Sequence, residues 1–306
     1  MKKLKHFLSI TDLSAKEIWQ VFNLARRLKE EFKKKGKNQK LLVDKQMVMI
    51  FEKPSLRTKL SFDIGFNQLG GQTVYFGPGE VGLREREAVS DVAKVVSSMA
   101  NLIVARVFSH EDLETLAQNS KVLVINALSD LEHPCQALTD LFTIWEVRGK
   151  LQGLTIGYVG DGENNVAHSL VLGATILGMN FNCGSPKGYW MNRSIVTKAK
   201  LYGKVLETED PIRAVKNADV VVTDTWISMG DTDKEKRLRI FKKYQVSRDL
   251  MKFAKKDAIF LHCLPAERRN EVSAEVIDGP QSVVFQQAEN RLHVQKALIL
   301  FLFQKK

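Results

Sequence analysis

Three cysteines in 306 residues, Cys135, Cys183 and Cys263, are too few and too far apart for a disulfide framework or a zinc cluster, and they point to a reducing compartment. No apolar run approaches the length of a membrane span. The start, Met1 to Leu8, is basic, but its apolar part is too short for a signal peptide and Asp12 and Lys16 follow at once. A cytoplasmic protein without a membrane partner is expected. Low-complexity segments, internal repeats and nucleic-acid motifs are also missing. Aromatic residues, 8% of the chain, are not interleaved with the basic runs as a single-strand stacking platform requires.

Positive charge is in excess, with a net +11 and a pI near 9.4. It is scattered in short runs: Lys33 to Lys37, Lys234 to Arg239, Lys242-Lys243, Lys255-Lys256 and Lys305-Lys306. Scattered runs read as solvated surface and imply no nucleic-acid partner. A basic, non-enzymatic binding protein with salt-sensitive affinity for DNA or RNA stays as the distant alternative. Hydrophobic content of 44% and charged content of 26% suit a soluble globular enzyme, and the length favours two domains.

The central stretch is Phe51-Glu-Lys-Pro-Ser-Leu-Arg-Thr-Lys-Leu-Ser-Phe62. The apolar run Met47 to Phe51 before it reads as a buried strand. After it, Leu60, Ile64 and Phe66 suggest the apolar side of a helix that stops at Gly70-Gly71. Ser55 is a preferred N-cap, so Ser55, Arg57 and Thr58 fall in the first turn. Free N–H groups, the helix dipole, two hydroxyls and a guanidinium together suit a phosphate. Taken alone, an ordinary capped helix with a surface Arg fits the stretch equally well.

Around it, helix 11–34 is expected, capped by Thr11 or Asp12 and carrying a stripe of Ile18, Val21, Phe22, Leu24, Ala25 and Leu28. Strands at 72–76, 102–107 and 122–127 alternate with helices at 88–100 and 111–118, which is the pattern of a parallel α/β sheet. Ligands of such sheets sit at the strands' carboxyl ends. Pro54 to Thr58, Arg106 and the segment after Asn126 all fall there. His133-Pro134-Cys135-Gln136 opens the next helix, Pro134 suiting its first position, with His133 and Gln136 on one face.

Gly149 to Gly153 reads as the passage into a second domain. Strand 154–159 runs into Gly160-Asp161-Gly162-Glu163-Asn164-Asn165 and a helix from Val166 to Leu177. This imitates a dinucleotide turn. The third glycine position holds Asn165, however, and strand 179–183 ends in Gly184-Ser185 instead of a ribose-binding acid. A Rossmann-like half without a dinucleotide is expected. Strand 218–223 leads into Asp224-Thr-Trp-Ile-Ser-Met-Gly230, and strand 257–261 into His262-Cys263-Leu264-Pro265. No His–Asp partner is arranged locally for Cys263, so it reads as a partly buried, unreactive thiol. Ala288 to His293 opens a last helix, Leu292 to Phe303.

Taken in order, Ser55-Leu56-Arg57-Thr58, Arg106, His133-Pro134-Cys135-Gln136, Asn164-Asn165, Asp224 with Ser228-Met229-Gly230, His262-Cys263-Leu264-Pro265 and Arg291 resemble the aspartate/ornithine carbamoyltransferase family, its ornithine branch most of all. The resemblance spans essentially the whole chain. It implies two doubly wound parallel-sheet α/β domains with the active site in the cleft between them. Residues 1–148 would bind carbamoyl phosphate, 149–287 ornithine, and 288–306 would form a C-terminal helix packing back on the first domain.

Ser55, Leu56, Arg57 and Thr58 would hold the phosphate. Arg106, His133, Gln136 and Arg291 would meet the carbamoyl group, and Cys263 and Leu264 the reacting amine. Asn165, Asp224, Ser228 and Met229 would bind ornithine. No metal or organic cofactor is implied, and a homotrimer or a multiple of trimers is. Two departures stand out: Leu56 replaces a common Thr, and Gly82 stands where ornithine enzymes commonly place a Gln that reaches the neighbouring subunit, with Arg84 or Arg86 as replacements. The first residues, Leu4 to Leu8, and the Ser-Leu-Arg-Thr turn are also similar to acetylornithine enzymes. Acetylornithine, putrescine and aspartate are therefore the rival acceptors, and Asp224 with Ser-Met-Gly favours a free amino acid.

Overall fold

The computed structural model describes residues 5–227 and 233–305. Helices α1 (Ala15–Lys35), α2 (Leu56–Gln68), α3 (Val89–Met99), α4 (His110–Asn119) and α5 (Pro134–Arg148) alternate with strands β1 (Gln46–Phe51), β2 (Gln72–Phe76), β3 (Leu102–Arg106) and β4 (Leu123–Leu128). The chain continues through β5 (Thr155–Val159), α6 (Asn165–Ile176), β6 (Asn180–Gly184), α7 (Arg193–Lys200), β7 (Val205–Thr208), α8 (Pro211–Val215) and β8 (Val220–Val222). It ends with α9 (Lys234–Phe241), α10 (Arg248–Met251), β9 (Ile259–Leu261), α11 (Ala274–Ile277) and α12 (Val284–Gln304). It divides into two compact units: residues up to Leu138 together with Glu289 onward, and Thr139–Ala288.

The first unit holds a four-stranded parallel sheet in the order β2-β1-β3-β4. Strands β3 and β4 are buried along their whole length, as strands covered on both faces must be. The second unit holds a five-stranded parallel sheet in the order β7-β6-β5-β8-β9. Both are doubly wound, and each reverses strand order beside its first strand, between β1 and β3 and between β5 and β8. Those reversals open crevices at the strands' carboxyl ends. Among the described residues no helix is long and apolar enough to cross a membrane.

Three local expectations are corrected. The cap of α1 is Ser14, which forms a capping box with Glu17. Asp12 is spent on a preceding turn, accepting from Leu8 N and Ser9 N at 2.7 and 2.8 Å. In α2 the buried face is Thr58, Ser61, Phe62, Gly65 and Phe66, while Leu60 and Ile64 lie outside, with Leu56, at 46, 42 and 69% exposure. Small residues face inward because α12 passes close: a Cβ on Gly65 would lie 3.1 Å from Lys296 Cγ. Helix α12 begins at Val284, eight residues before Leu292. Its first turn leaves Phe285 outside at 68% exposure and buries Gln287, which donates to Asp140 Oδ1 at 2.6 Å and accepts from His262 N at 3.0 Å, so the hydrophobic pattern does not announce it.

Candidate active site

In the first unit, Pro54-Ser55 leaves β1 and starts α2. Ser55 has extended backbone angles, and its hydroxyl lies 3.4 Å from Thr58 N and 2.9 Å from Thr58 Oγ1, the former as an N-cap contact. Arg106 ends β3. The pairing of β3 with β4 slips there, Ala105 facing Asn126 but Arg106 facing Leu128, an irregularity of the kind that re-aims a side chain. Its backbone is fixed by Glu52 N, which donates to Arg106 O at 2.8 Å, and Phe108 N donates to Glu52 Oε2 at 2.7 Å. His133 precedes α5, and its carbonyl accepts from Gln136 N at 3.0 Å.

Arg291 of α12 joins these elements. One terminal nitrogen donates to Thr58 Oγ1 at 2.8 Å and the other to Gln136 Oε1. Thr58, Arg106, His133, Gln136 and Arg291 are all buried. The His133 imidazole is held well below its ordinary range, first by burial and then by the Arg291 and Arg106 guanidiniums, so it stays neutral. Burial pushes the Cys135 thiol up to about 12, which keeps it protonated. Three strand ends and one helix therefore converge on a cationic pocket that retains a neutral imidazole.

In the second unit, Asn164 is the N-cap of α6: its side-chain oxygen accepts from Val166 N at 2.7 Å, and its amide donates to Asp224 Oδ2 at 2.9 Å. That bond spans the reversal between β5 and β8. The other Asp224 oxygen accepts from Cys263 Sγ at 3.2 Å, which brings in the segment after β9. Leu264 takes a left-handed φ of 59°, and its N–H donates to His262 Nδ1 at 2.9 Å. The ring proton is thereby placed on Nε2, which faces Glu271 Oε1 at 3.2 Å, both side chains fully buried. Asp224, His262 and Cys263 bring ligand-type atoms within 4.8 Å of one another. With Nδ1 accepting and Nε2 protonated, His262 has no lone pair left for a metal; its ring is engaged with Leu264 N and Glu271, while Cys263 donates to Asp224.

Several expected residues stand apart. Leu56 is exposed, at the start of α2, and Arg57 is half-buried. Asn165 is the first residue of α6 and half-buried; Asn164 makes the bond to Asp224, and the cap position is the signal that distinguishes them. Ser228 and Met229 lie outside the described residues. Gly82 has φ 67°, and a Cβ there would lie 2.9 Å from Arg86 Cβ, so the loop has a conformation that only glycine takes without strain. Arg84 turns back on its own chain, to Glu52 at 3.4 Å and Asp112 at 3.3 Å, while Arg86 is exposed. This loop, Glu52 and Phe108 enclose a cavity of about 450 Å³.

Residues 5–146 match the carbamoyl-phosphate-binding domain of aspartate/ornithine carbamoyltransferase, and residues 152–302 match its aspartate/ornithine-binding domain. The chain is 46% identical to an ornithine carbamoyltransferase of Methanocaldococcus jannaschii over 98% of its own length and all of the relative's. The solved ornithine carbamoyltransferase of Pyrococcus furiosus is 45% identical, with a TM-score of 0.93 over 97% of this chain and 96% of that one. The anabolic enzyme of Campylobacter jejuni is 39% identical, with a TM-score of 0.93 over 99 and 100%. With both domain models matched in order and the fold shared at this level, the chain belongs to the aspartate/ornithine carbamoyltransferase family.

Proposed function

We propose that the protein transfers the carbamoyl group of carbamoyl phosphate to the δ-amine of L-ornithine, giving L-citrulline and phosphate. The observation that carries this reading is the meeting of Arg291 with Thr58 and Gln136, beside His133 and Arg106, at the strand ends of a unit matched to carbamoyl-phosphate-binding domains. Ser55, Arg57, Thr58 and the start of α2 hold the phosphate. Arg106, Arg291 and the neutral His133 N–H stabilise the carbonyl oxygen as charge builds on it, and Gln136 orients the carbamoyl group. Asn164, Asn165 and Asp224 take the charged α-amine of ornithine, with Ser228 and Met229, and Cys263 and the Leu264 carbonyl line the reacting amine. Residues 1–148 serve the first substrate and 149–287 the second.

The δ-amine has a reference pKa of about 10.4, by analogy with lysine, and must lose a proton before it attacks. Its lone pair then adds to the carbamoyl carbon. The C–O bond to phosphate breaks, its electron pair leaves with the phosphate, whose charge the arginines meet, and the departing phosphate takes the remaining extra proton from the attacking nitrogen. None of these steps calls for a metal or an organic cofactor.

The proposed assembly is a homotrimer or a multiple of it. The exposed row Leu56, Leu60 and Ile64, with Val74 and Phe76 half-exposed on edge strand β2, supports it, because a monomer gains nothing from presenting such a row to water. The low cysteine count supports a cytoplasmic setting, and the word "anabolic" in the names of two relatives supports arginine biosynthesis.

The test is citrulline formation by purified protein with ornithine, beside acetylornithine, putrescine and aspartate as acceptors. Turnover with ornithine alone, lost in Arg57→Ala, is expected. Turnover with another acceptor would keep the chemistry and overturn the role of Asp224. No turnover with any of the four would favour a binding protein.

A further inference from the structure

Asp161, just past the end of β5, belongs to none of the roles above, yet it is buried and fully engaged. One carboxylate oxygen accepts from Glu163 N at 3.0 Å, which shapes the turn leading to Asn164. Its carbonyl accepts from Tyr158 Oη at 3.1 Å. Its other carboxylate oxygen pairs with the Arg237 guanidinium of α9. Arg237 Nε in turn donates to Trp226 O at 2.5 Å, two residues past Asp224. The guanidinium lies over the Tyr189 and Phe241 rings, 5.0 and 5.3 Å from their centroids. Asp161–Arg237–Trp226 therefore runs alongside the Asn164–Asp224 bond, joining the same two turns.

We propose that Asp161 is a positioning residue for acceptor binding: through Arg237 it sets the spacing between the turn that carries Asn164 and the turn that carries Asp224. This rests on the ornithine reading above. Burial pushes the Asp161 carboxyl up to about 6, even with Arg237 pulling it down, so keeping it charged at neutral pH works against folding. A buried ion pair is a poor stabiliser and a good spacer.

The test is steady-state kinetics of the whole protein with Asp161→Asn, Arg237→Gln and both together. Asp161→Asn is expected to raise the KM for ornithine about 10- to 100-fold, the scale of one lost charge-assisted hydrogen bond, with the KM for carbamoyl phosphate within about twofold, and to lower Tm, because the buried Arg237 loses its counter-charge. Arg237→Gln is expected to do the same, and the double variant to add little, because both singles break one strut.

A pH series gives a readout that a merely structural role would not move. The groups facing Asp161 are Arg237 from α9, Glu163 from its own turn, Tyr158 from β5 and Cys183 from β6. Burial raises the pKa of Tyr158 and of Cys183, so both stay neutral. The KM for ornithine is expected to rise as pH falls through about 6 in the wild type, and Asp161→Asn to lack that step. Should Asp161→Asn not fold, Arg237→Lys carries the test, with an intermediate KM and the step retained.

An unchanged ornithine KM in the single variants, or an equal rise for both substrates, would overturn this proposal alone. A wild type that does not use ornithine would overturn it together with the functional reading.

Discussion

The turn after β1 and the turn after β5 are one device used for opposite charges. Each leaves the carboxyl end of the first strand of a doubly wound sheet, and each caps a helix with a short polar side chain, Ser55 in one case and Asn164 in the other. They differ in what neighbouring strands bring. Arginines converge beside Ser55, and the imidazole among them is forced neutral. Beside Asn164 the neighbour is a carboxylate, Asp224, held from both sides by an amide and a thiol. A helix start favours anions by default. At Ser55 the surroundings reinforce that preference; at Asn164 the side chain and Asp224 override it, and the place becomes fit for an ammonium group. On the proposed reading, the fold places the site and the charge supplied by adjacent strand ends selects the ligand.

The largest effect should come from removing a cation from the first turn's surroundings. Arg106→Met is expected to lower kcat on the order of 100- to 1000-fold, the usual cost of one donor to a developing oxyanion, with little change in the KM for ornithine. Asp224→Asn is the counterpart. It should raise the KM for ornithine about 10- to 100-fold through the lost charge and leave carbamoyl phosphate binding in place, as isothermal titration with carbamoyl phosphate would register. If both variants weakened both substrates alike, the contrast between the turns would fail.

The neutral His133 supplies a prediction with a sign. Its folded pKa lies below the ordinary 6.5, so the native state prefers the unprotonated ring. Between the folded value and about 6.5 the unfolded chain binds the extra proton, and stability rises with pH across that window and is flat above it. Tm measured from pH 5 to 8 should show this rise in the wild type and less of it in His133→Gln. The kcat profile above about pH 6.5 should carry no step from this group.

Gly82→Gln tests the loop after β2, where the left-handed backbone and the 2.9 Å approach to Arg86 Cβ resist a side chain. A loss of about 1–2 kcal/mol is expected from urea unfolding.

Much of the cluster around Arg291 was legible in the sequence because its residues sit in short motifs at strand-to-helix joins, where a Ser, a Pro or an Arg at a strand end already has a location. What was hidden depended on packing. The inner face of α2 could not be picked out, since Gly65 and Ser61 face inward to admit α12, while Leu60 and Ile64 look like core and are not. The start of α12 exposes Phe285 and buries Gln287, and hydrophobic period reads that combination the wrong way round. The pair Asn164-Asn165 announced an amide without saying which one caps α6; Asn164 does, and its amide bonds Asp224. Arg237 lies 76 residues from Asp161, and no local pattern links them.

The smallest effects, and the closest test of the comparison, come from alanine at each cap. Either substitution removes a side-chain acceptor from a helix start and should cost about 1 kcal/mol, or roughly 2–4 °C in Tm for a unit of this size. The functional consequences should diverge. Thr58, freed from Ser55, is still held by Arg291 at 2.8 Å, so Ser55→Ala keeps the pocket's outline and loses only one hydroxyl near the phosphate. Asn164→Ala removes the cap and the amide that holds Asp224, leaving the carboxylate to the weaker thiol contact. Equal losses of stability, with a rise in the KM for ornithine confined to Asn164→Ala, would mean that the two caps do the same work for the fold and different work for the site. A rise in both would mean that Ser55 carries more of the pocket than its hydrogen bonds indicate.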